Sequence, residues 1–192
     1  GLLERVRELE DADSRIDWSR VHVFFGDERN VPVSHEESNE GQARVALLSH
    51  VDIPEANIHG FGADGGDMED KARDYERTIA EVAPEGFDIH LLGMGHEGHI
   101  NSLFPHTDAV RESERLVIAV TDSPKPPADR VTLTLPAVRR AEQVWLLVSG
   151  ENKAEAAAQI VARANPEDWP AAGAEGTEDT VLYLTDDAAT AL

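Results

Sequence analysis

Short apolar runs recur along this chain, and the best defined of them end in glycine and charge. Residues 21–25, Val-His-Val-Phe-Phe, run into Gly26-Asp27-Glu28-Arg29. Residues 87–92 run into the glycine-rich stretch 93–99, and 144–148 run into Gly150-Glu151-Asn152-Lys153. Apolar runs of this length bounded by turn residues read as buried strands. The amphipathic stretches between them read as helices, so strand and helix alternate. That alternation predicts an α/β sandwich around a mostly parallel sheet, because a parallel neighbour is reached only through a long crossover. In such sheets ligands sit beyond the carboxyl ends of the strands. The loops 26–29, 93–99 and 150–153 fall there.

The remaining elements follow the same logic. Ser38-Asn39-Glu40-Gly41 supplies helix-start chemistry before a helix over 43–50, where Val45 and Leu48 fall at helical spacing. A short strand is predicted at 57–61 and a helix over 67–82, with Tyr75 and Ile79 on one face. Strands are predicted at 116–120, 131–135, 144–148 and 181–184. Gly150 opens a helix running to about Arg163, and the Pro/Gly/Ala-rich stretch 166–176 is expected to be mobile. No internal repeat or low-complexity segment interrupts the series.

With 192 residues the chain is long enough for one domain with a sizeable core and short for two. No apolar run approaches the ~20 residues of a membrane span, and the start lacks the character of a signal peptide. There is no cysteine, which excludes disulfide scaffolds, thiolate metal sites and cysteine nucleophiles. A cytoplasmic protein is expected. The net charge is −21, from 38 acidic against 17 basic residues, and the only lysines are Lys71, Lys125 and Lys153. Such a field repels nucleic acid and anionic lipid, so neither is an expected partner. A salt-adapted surface is one reading of it and a generically acidic surface another. A phosphorylated substrate would have to enter a locally positive pocket on this negative protein, which singles out basic residues on loops.

His99 is the foremost candidate for chemistry. It ends a loop whose glycines allow tight folding and leave its side chain unshielded, and imidazole titrates in the range needed for proton transfer. The alternative is a loop histidine held by a carbonyl. His90, His96, His99 and His106 crowd one region, but His96-Glu97-Gly98-His99 lacks the spacing and the helix of the HExxH metal motif. No metal or other cofactor is expected. Glu97 reads as orienting a neighbouring group or binding a sugar hydroxyl. In the charged cluster after the first strand, Arg29 is placed to hold a phosphate or sugar oxygen, and Asp27 to contact hydroxyls or orient the histidine. A solvated turn is the plain alternative for that cluster. Lys153 in the first turn of a helix opposes the helix dipole, a conflict that a bound anion would remove. Arg130 is placed to reach the same pocket. Lys125, flanked by three prolines, reads as a loop surface residue.

Several motifs together resemble a known family. Gly26-Asp27-Glu28-Arg29, Ser38-Asn39 with Gly41, and Leu92-Gly93-Met94-Gly95-x-x-Gly98-His99-x-x-Ser102-Leu103-Phe104-Pro105 are similar to the 6-phosphogluconolactonases. Ser123-Pro124-Lys125-Pro126-Pro127, Arg130-Val131-Thr132-Leu133-Thr134-Leu135-Pro136 and Gly150-x-x-Lys153-Ala154 continue the order, from Trp18 onward. The resemblance implies a three-layer α/β/α sandwich, the fold shared with glucosamine-6-phosphate deaminases and ribose-5-phosphate isomerases. It implies hydrolysis of a 6-phosphogluconolactone in the oxidative pentose phosphate pathway. The candidate catalytic residues are then His99, as base, and Asp27. Arg29, Glu97, Arg130 and Lys153 are the candidate substrate-binding residues.

Two departures from the family pattern stand out. The family loop usually reads Gly-x-Asp-Gly-His, and His96-Glu97 replaces its middle pair, keeping the charge on a longer arm. The family also opens with a strand and a Gly-Gly-Ser-Thr-Pro phosphate loop that nothing here matches. The expectation is one domain over 1–192, shortened at its N-terminus, with part of the sheet uncovered and phosphate affinity impaired. In the expected mechanism His99 takes a proton from the water that attacks the lactone carbonyl. Loop amides near Gly95 and Gly98 are candidates for the oxyanion, and Ser102 is expected to be structural. The rival readings are a glucosamine-6-phosphate deaminase, although Ser102-Leu103-Phe104-Pro105 lacks that family's Glu, and a non-catalytic sugar-phosphate-binding module.

Overall fold

The computed structural model describes residues 1–13 and 15–192. In chain order the elements are α1 (Leu2–Ala12), β1 (Val23–Phe24), β2 (Asp27–Arg29), α2 (Asn39–Ala46), β3 (Ile58–His59), α3 (Met68–Val82) and β4 (Ile89–Leu92). They continue with α4 (Asp108–Arg111), β5 (Val117–Val120), β6 (Arg130–Leu133), α5 (Leu135–Val138), β7 (Gln143–Val148), α6 (Ala154–Val161) and β8 (Asp179–Leu184). The expected strand–helix alternation is present, and the fold is mixed α/β. None of the helices among the described residues is long and apolar enough to cross a membrane.

Two groups of strands are parallel and one is not. β1 pairs with β3, and β4, β7 and β8 form a parallel sheet in the order β4-β7-β8. The third group, β2-β6-β5, is antiparallel. Here the prediction of a loop at 26–29 needs correction: Asp27–Arg29 is a strand laddered to β6. Three residues rich in charge carry no strand signal of their own; the buried neighbour β6 supplies the hydrogen bonds that extend them.

α3 shows how the helices bury one face. Asp67 caps it, its Oδ1 accepting from the amides of Glu69 at 2.8 Å and Asp70 at 3.1 Å. Met68, Ala72, Tyr75 and Ile79 fall at helical spacing and are buried against a cluster that includes Val117, Val131 and Leu133. Each fully buried large side chain here contributes roughly 1.5–3 kcal/mol of transfer free energy. Tyr75 also works through its hydroxyl, which accepts from the amide of Phe25 at 2.7 Å and lies 3.1 Å from the carbonyl of His59. It thereby ties the end of β1 to β3 and fixes where the chain turns at Gly26.

The β4-β7-β8 sheet buries one face, with Leu92, Val144, Leu146 and Val148 in the second core cluster. Ala156 of α6 belongs to that cluster, its small side chain letting the helix lie close to the strands. On the other face Ile89, Leu91 and Tyr183 are each more than two-fifths exposed. Because β4 and β7 are parallel neighbours in register Leu92↔Leu146, the loops that follow them leave the same edge of the sheet side by side. The segment 166–176, expected to be mobile, is instead packed: Pro170–Gly173 forms a short 3₁₀ turn in which Pro170, Ala171 and Gly173 are buried. The amide of Ala171 donates to the carbonyl of Gly98 at 2.8 Å, so this stretch supports the His99 loop from below.

Candidate active site

The loops after β1, β4 and β7 and the turn before β6 enclose a cleft of about 500 Å³. Its walls include Asp27, Arg29, His99, Lys125, Arg130 and Lys153. Five of the six sequence-predicted site residues thus line one cleft, and the sixth, Glu97, touches His99 from behind.

The β2–β6 ladder sets the first wall. Its register pairs Asp27 with Thr132 and Arg29 with Arg130. Strand alternation places Asp27, Arg29 and their partners on one face and Glu28 on the other. Glu28 is buried and accepts from the hydroxyl of Ser38 and from the amides of Asn39 and Glu40, all at 2.9 Å. Its charge therefore satisfies the open N-terminus of α2. Asn39, fixed in this way, donates from Nδ2 to the Asp27 carbonyl at 2.8 Å and to Oδ1 at 3.0 Å. Ser102 donates to the other Asp27 oxygen at 2.7 Å, the supporting role expected of it. Burial pushes the Asp27 carboxyl up, while the Ser102 hydrogen bond and the Arg130 charge pull against that rise. The sequence left open whether Asp27 orients the histidine; its oxygens instead engage Asn39 and Ser102.

Arg29 donates from one terminal nitrogen to the Glu37 carbonyl at 2.9 Å and to Asn39 Oδ1 at 3.1 Å, and its buried Nε has no partner among the described residues. Arg130 is only 5% exposed. It donates to the carbonyls of Pro127 at 3.1 Å and Lys125 at 2.9 Å, which staples the 123–127 turn to β6. Its nearest carboxylate is Asp27, at 3.9 Å. Burial and the like charge of Arg29 both push the Arg130 pKa down.

The 93–99 loop is held by hydrogen bonds from the Gly95 amide to the His99 carbonyl at 2.9 Å and from the Gly98 amide to the Gly95 carbonyl at 3.0 Å. Of the loop amides in this region considered for the oxyanion, those of Gly95 and Gly98 are thus spent on the turn itself. Gly98 takes a left-handed φ of 77°, which favours glycine. Gly95 is required for a different reason: a Cβ there would lie 1.9 Å from His99 Nδ1. The His99 ring stacks on Phe104 with centroids 4.5 Å apart.

His99 Nδ1 lies 3.1 Å from Glu97 Oε1. The same oxygen receives the Lys125 ammonium at 2.8 Å, and Lys125 Nζ is 3.3 Å from His99 Nδ1. The other Glu97 oxygen is 3.2 Å from His96 Nδ1 but accepts no hydrogen bond. Burial opposes the charge on Glu97, yet Lys125, a backbone amide and His99 outweigh it and hold the pKa at about 2. For His99, burial lowers the pKa; Glu97 raises it, and Lys125 and Lys153 lower it further.

Lys153 occupies the 3₁₀ turn Glu151–Lys153 ahead of α6, and its ammonium donates across to the Met94 carbonyl. Its charge is therefore turned toward the His99 loop.

Lys125 corrects the sequence reading most sharply. Predicted as a surface residue, it is two-fifths exposed, but its ammonium belongs to the His99–Glu97 cluster, on a turn that Arg130 fastens to β6. Asn101 was also missed. It lines the cleft with a φ of 48° and a buried Nδ2 that has no partner among the described residues. Its side-chain oxygen would lie 2.2 Å from a Cβ at Gly26, which explains that glycine. Among the described residues no three His, Asp or Glu side chains gather as a metal-binding group. His90 is in the core, and His106 faces Asp168 at 3.5 Å.

Four cations and two carboxylates face or back this cleft on a chain whose net charge is −21. The site is therefore a positive island in a negative field, suited to an anionic ligand.

Residues 2–183 match the family model of glucosamine-6-phosphate isomerases/6-phosphogluconolactonase. A 6-phosphogluconolactonase of Mycobacterium tuberculosis is 53% identical over 196 residues, which cover 97% of this chain and 79% of that protein. The crystal structure of a Thermotoga maritima 6-phosphogluconolactonase superposes with a TM-score of 0.84 at 31% identity, covering 95% of this chain and 79% of that one. A monomeric glucosamine-6-phosphate deaminase superposes equally well, with a TM-score of 0.84, over 100% of this chain and 83% of that one. Its identity is 21%, so this last likeness is one of fold.

Proposed function

Because the chain belongs to the glucosamine-6-phosphate isomerase/6-phosphogluconolactonase family, we infer that its cleft hydrolyses 6-phosphogluconolactone to 6-phosphogluconate, with His99 as the general base. The enzyme is a lactonase, a hydrolase of a carboxylic ester. Identity of 53% to a lactonase, against a likeness of fold to the deaminase, favours this reaction over deamination. The observation that carries the assignment of the base is the contact of His99 Nδ1 with an ionised Glu97 at 3.1 Å, inside a cleft lined by cations.

The contact implies a mechanism. Glu97 accepts a hydrogen bond from the Nδ1–H of a neutral imidazole, which leaves Nε2 as the basic nitrogen. Nε2 takes a proton from water as the water oxygen bonds to the lactone carbonyl carbon. When the tetrahedral intermediate collapses, the bond to the ring oxygen breaks. The imidazolium returns its proton to that oxygen, which becomes the free hydroxyl of the open acid. Negative charge developing on the carbonyl oxygen meets the cleft's ammonium and guanidinium groups rather than the Gly95 and Gly98 amides. Arg29, Arg130 and Lys153 bind the phosphate and orient the ring, and Asp27 accepts from sugar hydroxyls. A lactone is already activated, so positioning and one base suffice.

The test is hydrolysis of freshly made 6-phosphogluconolactone by the wild type and His99→Ala, with the spontaneous rate subtracted. A loss of about 10²–10⁴-fold is expected in the variant. A folded wild type that only matched the spontaneous rate would end the lactonase reading. Ammonia release from glucosamine 6-phosphate, or binding of 6-phosphogluconate without turnover, would then decide between deaminase and binding module.

A further inference from the structure

Beyond adding one positive charge to the cleft, Lys125 is placed closer to Glu97 than the histidine is. Its ammonium is 2.8 Å from Glu97 Oε1, 3.3 Å from His99 Nδ1 and 5.5 Å from the centre of the Phe104 ring on which His99 stacks. The turn that carries it is fixed by the guanidinium of Arg130, which donates to the Lys125 carbonyl at 2.9 Å.

Two arrangements of protons fit three groups so close together. In one, the ammonium donates to a bare Nδ1; the imidazole then carries its proton on Nε2 and cannot act as a base there. In the other, ammonium and Nδ1–H both donate to Glu97 Oε1, and Nε2 keeps its lone pair. The two short ion-pair approaches to the carboxylate oxygen favour the second, with the ammonium also within hydrogen-bond reach of Nδ1. Both contacts to the oxygen, 2.8 and 3.1 Å, are shorter than the 3.3 Å between the nitrogens, and a carboxylate oxygen accepts two donors.

We propose that Lys125 is a positioning residue for the base: by binding Oε1 it holds Glu97 against the ring, and Glu97 so held is the acceptor for Nδ1–H that leaves Nε2 basic. It has a second effect of the same origin. Glu97 alone would stabilise the imidazolium and raise the pKa of the ring. Lys125 takes up part of that carboxylate's charge and stands beside the ring as a cation. The charged groups facing His99 are Glu97 on its own loop, Lys125 on the 123–127 turn and Lys153 ahead of α6; His96 is a further titratable group, in contact with Glu97. Of the two lysines, Lys125 acts on both the ring and its carboxylate.

The inference rests on His99 being the base, and its test is read partly without substrate so that the two can fail separately. The His99 ring would be titrated by NMR in the free enzyme, in the wild type, Lys125→Met and Lys125→Arg, beside kcat/KM over about pH 5–8, where imidazole changes charge. In Lys125→Met the ring titration and the acid limb of kcat/KM should move together to higher pH. The loss of activity should be largest on the acid side and smallest on the alkaline plateau. Lys125→Arg should restore both. Unmoved titration and limb, with only KM raised, would overturn the proposal and make Lys125 a plain substrate contact. Glu97→Gln gives an independent reading that leaves Lys125 in place. Loss of the shared acceptor charge should let the ammonium donate to Nδ1, and ring nitrogen shifts should report the Nε2–H tautomer. An unchanged tautomer in that variant would equally overturn it.

Discussion

Arg29 and Arg130 stand directly opposite each other across the β2–β6 ladder. Like charges in that relation cost a sheet a few tenths of a kcal/mol to about 1 kcal/mol, and Asp27 at 3.9 Å is a long way from a full counter-ion for Arg130. An anion between the two guanidiniums removes the conflict, which is why the pair reads as half of a phosphate site. Arg29→Met should therefore raise KM about 10–100-fold, the equivalent of one charge-assisted hydrogen bond of about 1.5–3 kcal/mol. It should leave kcat less affected and Tm level or slightly higher. Steady-state kinetics and a melting curve check it, and an unchanged KM would remove Arg29 from the phosphate site.

Gly95 offers a way to move the base without touching it. Its backbone is not left-handed, so alanine there is unstrained, but the added Cβ would lie 1.9 Å from His99 Nδ1 and 2.7 Å from Glu97 Oε2. The imidazole, stacked on Phe104, must then move as a whole, so Gly95→Ala should fold with a modest loss of stability. Displacing a base by about 1 Å costs on the order of 10²-fold. Wild-type kcat/KM in Gly95→Ala would mean that the His99–Glu97 contact does not set the rate.

The residues best read from sequence were those whose signal is local. The helical stripe of Tyr75 and Ile79, the strand before Gly93 (buried on one face only, since Ile89 and Leu91 are exposed) and the glycine-rich loop carrying His99 all depend on neighbours a few positions away. β2 was missed as a strand because its three residues gain that conformation only from β6, about a hundred positions later in the chain. Lys125 was misplaced for the same reason. Nothing near it in sequence reveals that Arg130 fastens its turn to β6 or that Glu97 waits opposite. The stretch 166–176 looked mobile because small residues and proline suit loops, but small residues also fill the narrow space beneath Gly98. Asn101 carried no usable signal, since asparagine with positive φ is an ordinary turn residue.

The charge of the chain has a consequence for stability. With 38 acidic residues and 17 basic ones, pairing every base would still leave 21 carboxylates unpartnered. Repulsion among them opposes compaction, while exposed pairs such as Arg5–Glu8 add little. Molar salt shortens the screening length to about 3 Å and weakens both, but the repulsion is the larger. Tm should rise as KCl is raised toward molar concentration. A melting temperature indifferent to KCl would show that the acidic surface is already too dispersed to matter.

His90 should make the fold sensitive to mild acid. It sits on β4 with its side chain in the core beside Phe87, ring centroids 5.9 Å apart, and its Nδ1 has no hydrogen-bond partner among the described residues. Burial lowers its pKa from the ordinary 6.5 to about 4. In the unfolded chain the ring protonates near its ordinary value, while in the folded chain it stays neutral until about pH 4. Between those limits the unfolded state binds more protons, so the free energy of unfolding falls as the pH falls. Across the whole window the loss is on the order of 3 kcal/mol. Glu97, held at about 2, loses its own contribution only at lower pH, below the ordinary carboxylate value of 4.5. His59 and His99 are also lowered and remain in any His90 variant. Urea unfolding of wild type and His90→Leu at pH 7 and pH 5 isolates the term. The variant should lose markedly less stability between the two pH values, whatever its stability at pH 7. Equal losses in both proteins would mean that water or a rearranged neighbour already solvates the His90 ring.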